Sequence, residues 1–452
     1  MSHDERATGM TTADDVASGD APPAEGSHDD HDLDGFFSTA RVSSRSEAVT
    51  LGGESYREHL YDHDDPILAE WRGLGYREFS ARKRSPDFVR ELLGEWRRLY
   101  EEPFRGITTD GVVRDEVWAP APVADPDPAP AEAAGRLLAT LTDAERAALR
   151  YPLHAPQWRA WSNPEFVIHE AGLRLEDLEE DAARAVLAVV SASLSPEGYA
   201  RVTEAMELNA FLGELVGLPA LMNARSYWFS LFGDPEPGGA WGWQLFGHHV
   251  AVNFVSVAGR HVVAPVFLGA EPALSDGARP PVFAERQALA LRLASSLDAA
   301  QRAAAVVYSS VLDPKMPPDR LHPADERHVA GAFRDNRVVP YEGLRADALD
   351  ADQWDTLCAV VEDFHLLLTA PQRERTMREF AARRAETYLS WYGATDGSEP
   401  FYLRVHSPVI LAELDHHAGV WLANKLPASF HVHTTLRHPN GNDYAKAYLS
   451  HR

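Results

Sequence analysis

The chain is almost without cysteine, having one in 452 residues, and this scarcity excludes several architectures. The single thiol, Cys358, cannot form an intrachain disulfide, and it cannot build a thiolate cluster for structural zinc or iron–sulfur. It lies in an apolar run with helical spacing, residues 354–361. We therefore interpret it as a packed core residue and not as a nucleophile.

Positive charge is also scarce. The chain carries 43 Lys and Arg against 68 Asp and Glu, a formal net charge of -25. Nucleic acids and anionic membranes need clustered basic side chains, so neither is an expected partner. No apolar run is long enough to span a bilayer, and the N-terminus lacks the pattern of a secretion signal. We expect a cytoplasmic protein that acts on a small-molecule substrate, and the oligomeric state stays open.

Common catalytic signatures are missing as well. No glycine-rich phosphate or dinucleotide loop follows a strand, no Gly-x-Ser-x-Gly elbow occurs, and there is no His-Glu-x-x-His helix. These absences argue against nucleotide-binding enzymes, serine hydrolases of the elbow type and helix-based zinc proteases.

The organisation of the chain is read from shifts in composition. Residues 1–35 are acidic and nearly free of large apolar side chains, which predicts a disordered tail. Residues 36–117 read as a helical and irregular segment, and the proline-rich stretch 118–131 reads as a linker. Residues 132–452 are predicted to form the main domain. We see no repeat of fixed period.

Capping and periodicity predict a set of helices in this domain. Capping boxes begin at Thr142, Asp298 and Asp350, and Ser195 precedes a proline at a helix start. The predicted helices cover residues 86–100, 132–149, 176–193, 196–216, 284–311, 350–368 and 371–391.

Strand-like runs fall into two blocks, which bracket most of the later helices. The predicted strands are 225–232, 242–257 and 260–268 in the first block, and 400–406, 409–416, 419–423 and 429–436 in the second. Short connections favour antiparallel pairing. The fold class is therefore α+β, with antiparallel sheet from blocks 225–268 and 400–436 packed against a helical layer.

Histidines mark the interiors of both blocks. His431 and His433 are two residues apart on a predicted strand, so both imidazoles point to one face and could hold a metal ion. The alternative is a pair of hydrogen-bonded sheet histidines. His248 and His249 are adjacent, so strand alternation would allow only one of them into the same site. The polar neighbour Asn253 favours His249, although a bulge at Gly247 would change the alternation.

Carboxylates accompany the histidines on the second block. Glu413 and Asp415 share a strand face, where they could ligate a metal, orient a histidine or act as a catalytic base. A solvated strand end is the alternative interpretation. His416 and His417 follow at a predicted turn, and we expect them at the surface.

Several further residues are candidates for binding a polar or anionic substrate. Arginine suits bidentate carboxylate recognition, and aromatic residues supply an apolar wall. The candidate set is Trp243, Asn253, Arg404, Arg437, Asn442, Asp443 and Tyr444. Core packing is the competing explanation for Trp243, and turn shape for the Asn-Gly-Asn run.

Taken in order, these motifs resemble a bacterial and fungal family known as domain of unknown function 3500. The resemblance covers roughly residues 150–452. It rests on Trp241-Gly-Trp243 leading into Gly247-His-His-Val-Ala-Val-Asn-Phe254, Phe267-Leu-Gly-Ala270, Val339-Pro-Tyr-Glu-Gly-Leu344, Trp391-Tyr-Gly393, Phe401-Tyr-Leu-Arg-Val-His-Ser-Pro408, Glu413-x-Asp415, His431-x-His433 and Asn440-Gly-Asn-Asp-Tyr444. It implies a shared fold and a shared site, without an assigned reaction.

The sequence is compatible with three functions. The first is a metal-dependent enzyme with zinc, hydrolytic in its chemistry, whose metal ligands are drawn from His248, His249, His431 and His433. Iron or copper in the same site would instead make it an oxidoreductase. The second is a metal-free acid/base enzyme that uses a histidine and a carboxylate. The third is a binding protein without catalysis.

Overall fold

The computed structural model describes residues 55–119, 123, 125–276 and 279–450. The predicted disordered tail, residues 1–35, lies outside this part of the chain. Within it, no helix is both long and apolar enough to cross a membrane.

Twelve α-helices occur in the described residues, and the predicted capping boxes at Thr142, Asp298 and Asp350 are confirmed. In each box the side chain of the first residue accepts from a backbone N–H and a Glu or Gln side chain accepts in return. The helices are α1 Pro66–Ala69, α2 Tyr76–Lys83, α3 Asp87–Glu101, α4 Ala129–Thr140, α5 Asp143–Leu149, α6 Glu180–Ser193, α7 Pro196–Leu215, α8 Ala284–Ser296, α9 Ala299–Ala305, α10 Ala351–Phe364, α11 Ala370–Ala381 and α12 Lys446–Ser450.

The twelve strands of the same residues form one sheet. They are β1 Arg150–Tyr151, β2 Leu173–Arg174, β3 Tyr227–Gly233, β4 Ala240–Gly247, β5 Val250–Val257, β6 Arg260–Ala270, β7 Val306–Tyr308, β8 Leu344–Arg345, β9 Tyr388–Tyr392, β10 Tyr402–His406, β11 Leu411–His416 and β12 Val432–Arg437. Their order is β1-β3-β4-β5-β6-β12-β11-β10-β9-β7, while β2 pairs with β3 and β8 with β9. The α+β class is confirmed.

The sheet is mixed and not purely antiparallel. Within each predicted block the strands pair antiparallel, but β1 runs parallel to β3 and β7 runs parallel to β9. These parallel strands are two or three residues long and follow directly on α5 and α9, where no strand was predicted. The antiparallel pairing of β6 with β12 joins the two blocks into a single surface.

Several predicted boundaries are wrong, and each has a local cause. The predicted helix 284–311 is two helices, because the capping box at Asp298 starts a new one. The predicted helix 371–391 ends at Ala381, and its last residues form β9. The stretch 419–423 is no strand, since its backbone N–H groups bond to the carboxylate of Glu271 and not to a neighbouring strand.

The structure also reveals an internal repeat. Both α5 and α9 contain seven residues, both α6 and α10 contain fourteen, and each of the two later helices follows a two-residue strand and a 3-10 turn. Gly172 and Gly343 occupy equivalent positions. Each has positive φ and precedes a two-residue strand, and a Cβ atom on either would meet a carbonyl oxygen of the strand with which that short strand pairs, β3 or β9. Sequence separations differ between equivalent pairs, such as Thr142 with Asp298 and Gly172 with Gly343, so no fixed period is visible in the sequence.

The N-terminal helices share the main hydrophobic core. Phe79 from α2 and Trp96 from α3 belong to the same buried cluster as the strands β3 to β6. Trp118, at the start of the predicted linker, is buried and its indole N–H donates to the Pro439 carbonyl at 2.8 Å. The predicted domain division at residues 118–131 stays a prediction.

Candidate metal centre

The two adjacent histidines of the first block form a hairpin turn. Gly247 pairs with Val250, so His248 and His249 alone connect β4 to β5. His249 has φ of 64°, a left-handed conformation that ends the strand. The predicted continuous strand 242–257 is therefore wrong, and strand alternation does not separate the two rings, which stack with centroids 3.8 Å apart.

The histidines of the second block point to one side, as their spacing predicts. The Nε2 atoms of His431 and His433 lie 3.0 Å apart. The Nδ1 atom of His431 lies 2.7 Å from the Ala418 carbonyl oxygen, which can only accept, so this nitrogen carries the proton. The lone pair on Nε2 of His431 is then directed at His433, and the two nitrogens can share a proton or bind one cation.

His249 completes a group of three imidazoles. One nitrogen from each of His249, His431 and His433 lies within 4.8 Å of the other two, and all three side chains are buried. Nitrogens around a tetrahedral zinc are about 3.4 Å apart, so small side-chain movements would close this group on an ion. These residues could bind a metal ion, and the bond from His431 to Ala418 is the kind of support that orients a ligating histidine.

A second group lies beside the first. His328, Asp415 and His417 also offer ligand atoms within 4.8 Å of one another, and all three are buried. The ring of His417 is 3.8 Å from that of His433, so the two groups are in contact. The prediction that His416 and His417 lie at the surface is wrong. The ring of His416 packs against Phe401 and bonds to Gln287, and the loop that carries His328 covers the segment that begins at His417.

Burial keeps the imidazoles of His249, His417, His431 and His433 neutral at neutral pH. It lowers the pKa of His431 to about 4, and it lowers the pKa of His249, His433 and His417 well below 6.5, with the neighbouring imidazoles lowering those three further. Neutral imidazole is the form that ligates metals.

A pocket opens over the first group. It measures ≈ 620 Å³ with its mouth included, and its inner part is narrow, which suits a small molecule. Its histidines are His248, His249, His417, His431 and His433, and its carboxylates are Glu165, Asp325 and Glu326. No Arg or Lys lies among the described residues that line it, although Lys83 and Arg327 pair with two of its carboxylates, Glu165 and Glu326.

Among the carboxylates that line the pocket, Glu326 is the one that contacts His417. Its Oε1 atom accepts from the Ala418 N–H at 3.0 Å and lies 3.6 Å from Nδ1 of His417. Its Oε2 atom pairs with Arg327. Burial raises the pKa of Glu326, while Arg327 opposes the rise. The residue also has positive φ, 46°, a strained backbone of the kind that clusters at functional sites.

The two predicted catalytic carboxylates lie behind the pocket. Glu413 accepts hydrogen bonds from the N–H groups of Val329 and Ala330 and from the Tyr402 hydroxyl. Asp415 accepts from Nε of Arg327 at 2.7 Å. Neither is among the described residues that line the pocket. Through its hydrogen bonds, Glu413 holds the loop after His328, and Asp415 belongs to the second group.

The predicted substrate residues are also placed elsewhere. Trp243 stacks between Phe229 and Phe254 in the core, and the Asn253 carboxamide bonds to Gln244. The remaining five are also buried and absent from the described lining of the pocket. Four of them make internal contacts: Arg404 with Glu342, Arg437 with Asp335 and Asp443, and Tyr444 with Trp161 and Asp335. The fifth, Asn442, precedes the 3-10 turn that leads into α12. His248 lines the pocket, but its Nδ1 faces Asn209 at 2.9 Å, and it stands outside both metal groups.

Sequence reasoning missed His328, Glu326 and the part played by His417. The doublet His416-His417 repeats the doublet at the β4–β5 turn, and the charged run Glu326-Arg327-His328 stands in a polar loop. These were the only signals, and neither says that the loop meets β11. It meets that strand through Glu413, which is 84 residues away from Val329 in the chain.

One wall of the pocket comes from the N-terminal helices. Trp96 of α3 lines it directly. Glu165, another lining residue, is 3.8 Å from Nζ of Lys83 at the end of α2, and these two side chains are only 6% and 4% exposed. Lys83 lies over the rings of Trp71 and Trp421. The segment that carries α2 and α3 is thus built into the site.

Comparison with known proteins gives a family and no activity. No curated protein matches the chain, and no solved structure does. The model of a family described as "Protein of unknown function (DUF3500)" matches residues 125–446, which hold both histidine groups and the whole sheet. The resemblance seen in the sequence is confirmed, and the chain belongs to this family of unknown function.

Proposed function

We propose that the chain is a zinc-dependent hydrolase of a small polar substrate. The observation that carries the proposal is the group formed by His249, His431 and His433, three imidazoles whose ligand nitrogens lie within 4.8 Å of one another beside a narrow pocket. Three histidine ligands with a position left for water or substrate are typical of catalytic zinc. When bound there, zinc supplies an acidic water and a Lewis acid.

The protein's own residues divide the remaining work. The carbonyl of Ala418 fixes the orientation of His431, and the Asn163 side chain accepts from the His249 N–H at 3.0 Å and so fixes the turn. Glu326 is the lining carboxylate that lies beside His417, and we assign it the transfer of protons to and from the reacting water. This replaces Glu413 and Asp415, which are not among the described residues that line the pocket.

The lining also limits the substrate. Because no described lining residue is Arg or Lys, an anionic group on the substrate would find its positive partner in the metal. The narrow interior and the indole of Trp96 favour a small molecule with a polar reacting group and some apolar surface.

The test uses the full-length chain, from which bound metal is removed with a chelator before Zn²⁺ is added back. We would follow the hydrolysis of p-nitrophenyl acetate and bis(p-nitrophenyl) phosphate. Activity on at least one substrate should require zinc, and His431→Ala should lose the zinc that is bound by the group of His249, His431 and His433. Glu326→Gln should retain zinc and lose about 10²- to 10⁴-fold in turnover, the range for an acid/base group.

Elemental analysis of the protein as purified supplies the contrary outcomes. Stoichiometric copper or iron in place of zinc would favour the oxidoreductase, since a set of nitrogen donors also suits those metals. No bound transition metal, with activity unchanged by the chelator, would favour metal-free catalysis and overturn the proposal.

A further inference from the structure

We infer that His328, Asp415 and His417 bind a second divalent metal ion next to the first, so that each chain holds two. This inference rests on the metal-binding part of the proposed function and not on its hydrolytic chemistry. Four observations support it: a spare ring nitrogen, the strand register, the support of each ligand and the contact between the two groups.

The spare nitrogen belongs to His328. Its Nδ1 atom is 2.7 Å from the hydroxyl of Thr435, while its Nε2 atom is buried and has no hydrogen-bond partner among the described residues. A buried imidazole nitrogen without a partner costs free energy unless something binds it. The Nε2 atom of His417 lies 3.2 Å from Oδ2 of Asp415, so this carboxylate and the two imidazoles surround one small volume.

The register of the sheet fixes where this volume lies. Asp415 on β11 is directly opposite His433 on β12, and Glu413 is opposite Thr435. Residues directly opposite in antiparallel strands have Cβ atoms about 5 Å apart. A carboxylate ligand of the second group and an imidazole ligand of the first are therefore a directly opposed cross-strand pair.

Each ligand of the second group is held by a supporting contact. The backbone N–H of His417 donates to the His431 carbonyl oxygen at 2.9 Å, and Oε1 of Glu326 lies 3.6 Å from Nδ1 of His417. The hydroxyl of Thr435 sets the ring of His328, and Glu413 anchors the loop through the N–H groups of Val329 and Ala330. The guanidinium of Arg327 holds Oδ1 of Asp415 at 2.7 Å, which leaves Oδ2 on the side of His417. Supporting contacts of this kind pre-orient metal ligands.

The contact between His417 and His433, 3.8 Å between ring centroids, places the two sites side by side. Paired metal ions act together in hydrolysis: one stabilises the attacking oxygen and the other the leaving oxygen. The substrate class that uses such a pair is an ester or a phosphate ester, in which the atom that leaves is an oxygen. The first site alone would serve only one of those oxygens.

The competing interpretation is a dyad in which Asp415 orients His417 as an acid/base catalyst and no second ion binds. It accounts for the 3.2 Å contact between these two residues. It leaves Nε2 of His328 without a function, whereas the second metal site uses it.

The experiment measures Zn²⁺ equivalents on the demetallated full-length chain, by titration against a chelating dye and by elemental analysis. The wild-type chain should bind two equivalents, and His328→Ala and His431→Ala should bind one each. His365→Gln, a change at another buried histidine, should still bind two. Thermal melting identifies any variant that fails to fold.

Thr435→Val provides a milder variant, because it removes only the hydroxyl that orients His328. It should weaken one of the two equivalents by about 10- to 100-fold, the usual effect of losing a supporting contact, and leave the other unchanged.

The contrary outcomes separate the two proposals. One equivalent in the wild type, kept in His328→Ala and lost in His431→Ala, would overturn the second site and leave the first standing. One equivalent lost in both variants would mean a single shared site and also overturn the inference. No tight zinc in the wild type would overturn both proposals.

Discussion

Gly269 lies directly opposite His433 on the neighbouring strand, and no side chain would fit between them. A Cβ atom at Gly269 would be 2.7 Å from Cδ2 of His433 and 3.1 Å from Cδ2 of His249. The absence of a side chain here lets the β4–β5 turn and the start of β12 approach closely enough for their imidazoles to meet.

Gly269→Ala should therefore weaken metal binding more than folding. The new methyl group would push the two imidazoles from their positions, and we expect zinc affinity to fall by about 10- to 100-fold, as for other disturbed metal shells. Gly135→Ala in α4 is the matched control, since no atom lies within 4 Å of its added Cβ and alanine favours a helix. Equal zinc affinity in both variants would contradict the proposed position of the ligands.

Phe430→Ala and His433→Ala should have opposite effects. Phe430 is 4% exposed and packs with Tyr56, Leu422 and Ala428 on a small core of its own. Its loss should lower the free energy of unfolding by about 3–5 kcal/mol, measured by urea denaturation, with zinc stoichiometry kept in the folded protein. His433→Ala should lose the zinc of the group that contains His249 and His431, at a smaller cost to the stability of the metal-free chain. The reverse pattern would show that His433 is chiefly a packing residue.

Lys83 and Glu165 should behave as a coupled buried pair. Removing one partner leaves a buried charge unpaired, so Lys83→Met or Glu165→Met alone should cost about 3–5 kcal/mol. The double variant should cost less than the sum of the two, because neither charge remains. A double-mutant cycle from urea denaturation gives the coupling energy. Additive effects would show that the contact between α2 and the pocket wall contributes nothing.

Acid should destabilise the fold through histidines outside the metal groups. Burial, together with the charges of Arg286 and Arg373, lowers the pKa of His365 to about 4. Burial also keeps the nearby ring of His438 neutral. Unfolded histidine takes up a proton near pH 6.5, so below that pH the unfolded chain binds more protons and the free energy of unfolding falls.

For His365 alone, this loss is about 3 kcal/mol once the pH is below 4, from a shift of roughly 2.5 pKa units. It begins near pH 6.5 and is complete near pH 4. His365→Gln should reduce the slope of stability against pH in that window, measured by urea denaturation at several pH values in the presence of a chelator. An unchanged slope would mean that His365 is not buried neutral.

The sequence predicted correctly those features that depend on residues close together in the chain. The three capping boxes occur at the predicted residues, and the same-side arrangement of His431 and His433 follows from their spacing in the chain. The turn at His248 and His249 was missed because neither residue is a usual turn former, and a left-handed histidine has no sequence signature. The His328 loop was missed because only tertiary contacts bring it to β11.

The internal repeat was hidden for a related reason. Insertions of different length separate its equivalent elements, and the two halves differ in their chemistry. The turn between β4 and β5 carries two histidines, whereas the equivalent turn, residues 407–410 between β10 and β11, carries none. A nearly symmetric sheet therefore carries an asymmetric site, with histidines at the β4–β5 turn and none at its counterpart.

The position of Trp96 has a consequence for how relatives should be compared. Every proposed metal ligand lies within residues 125–446, the region that defines the family, whereas Trp96 and Lys83 precede it. An alignment confined to that region would find the same metal ligands in two chains even if the residues that form this wall of the pocket differed between them. Residues 55–101 are thus the place to look for differences in substrate choice among proteins that share this metal centre.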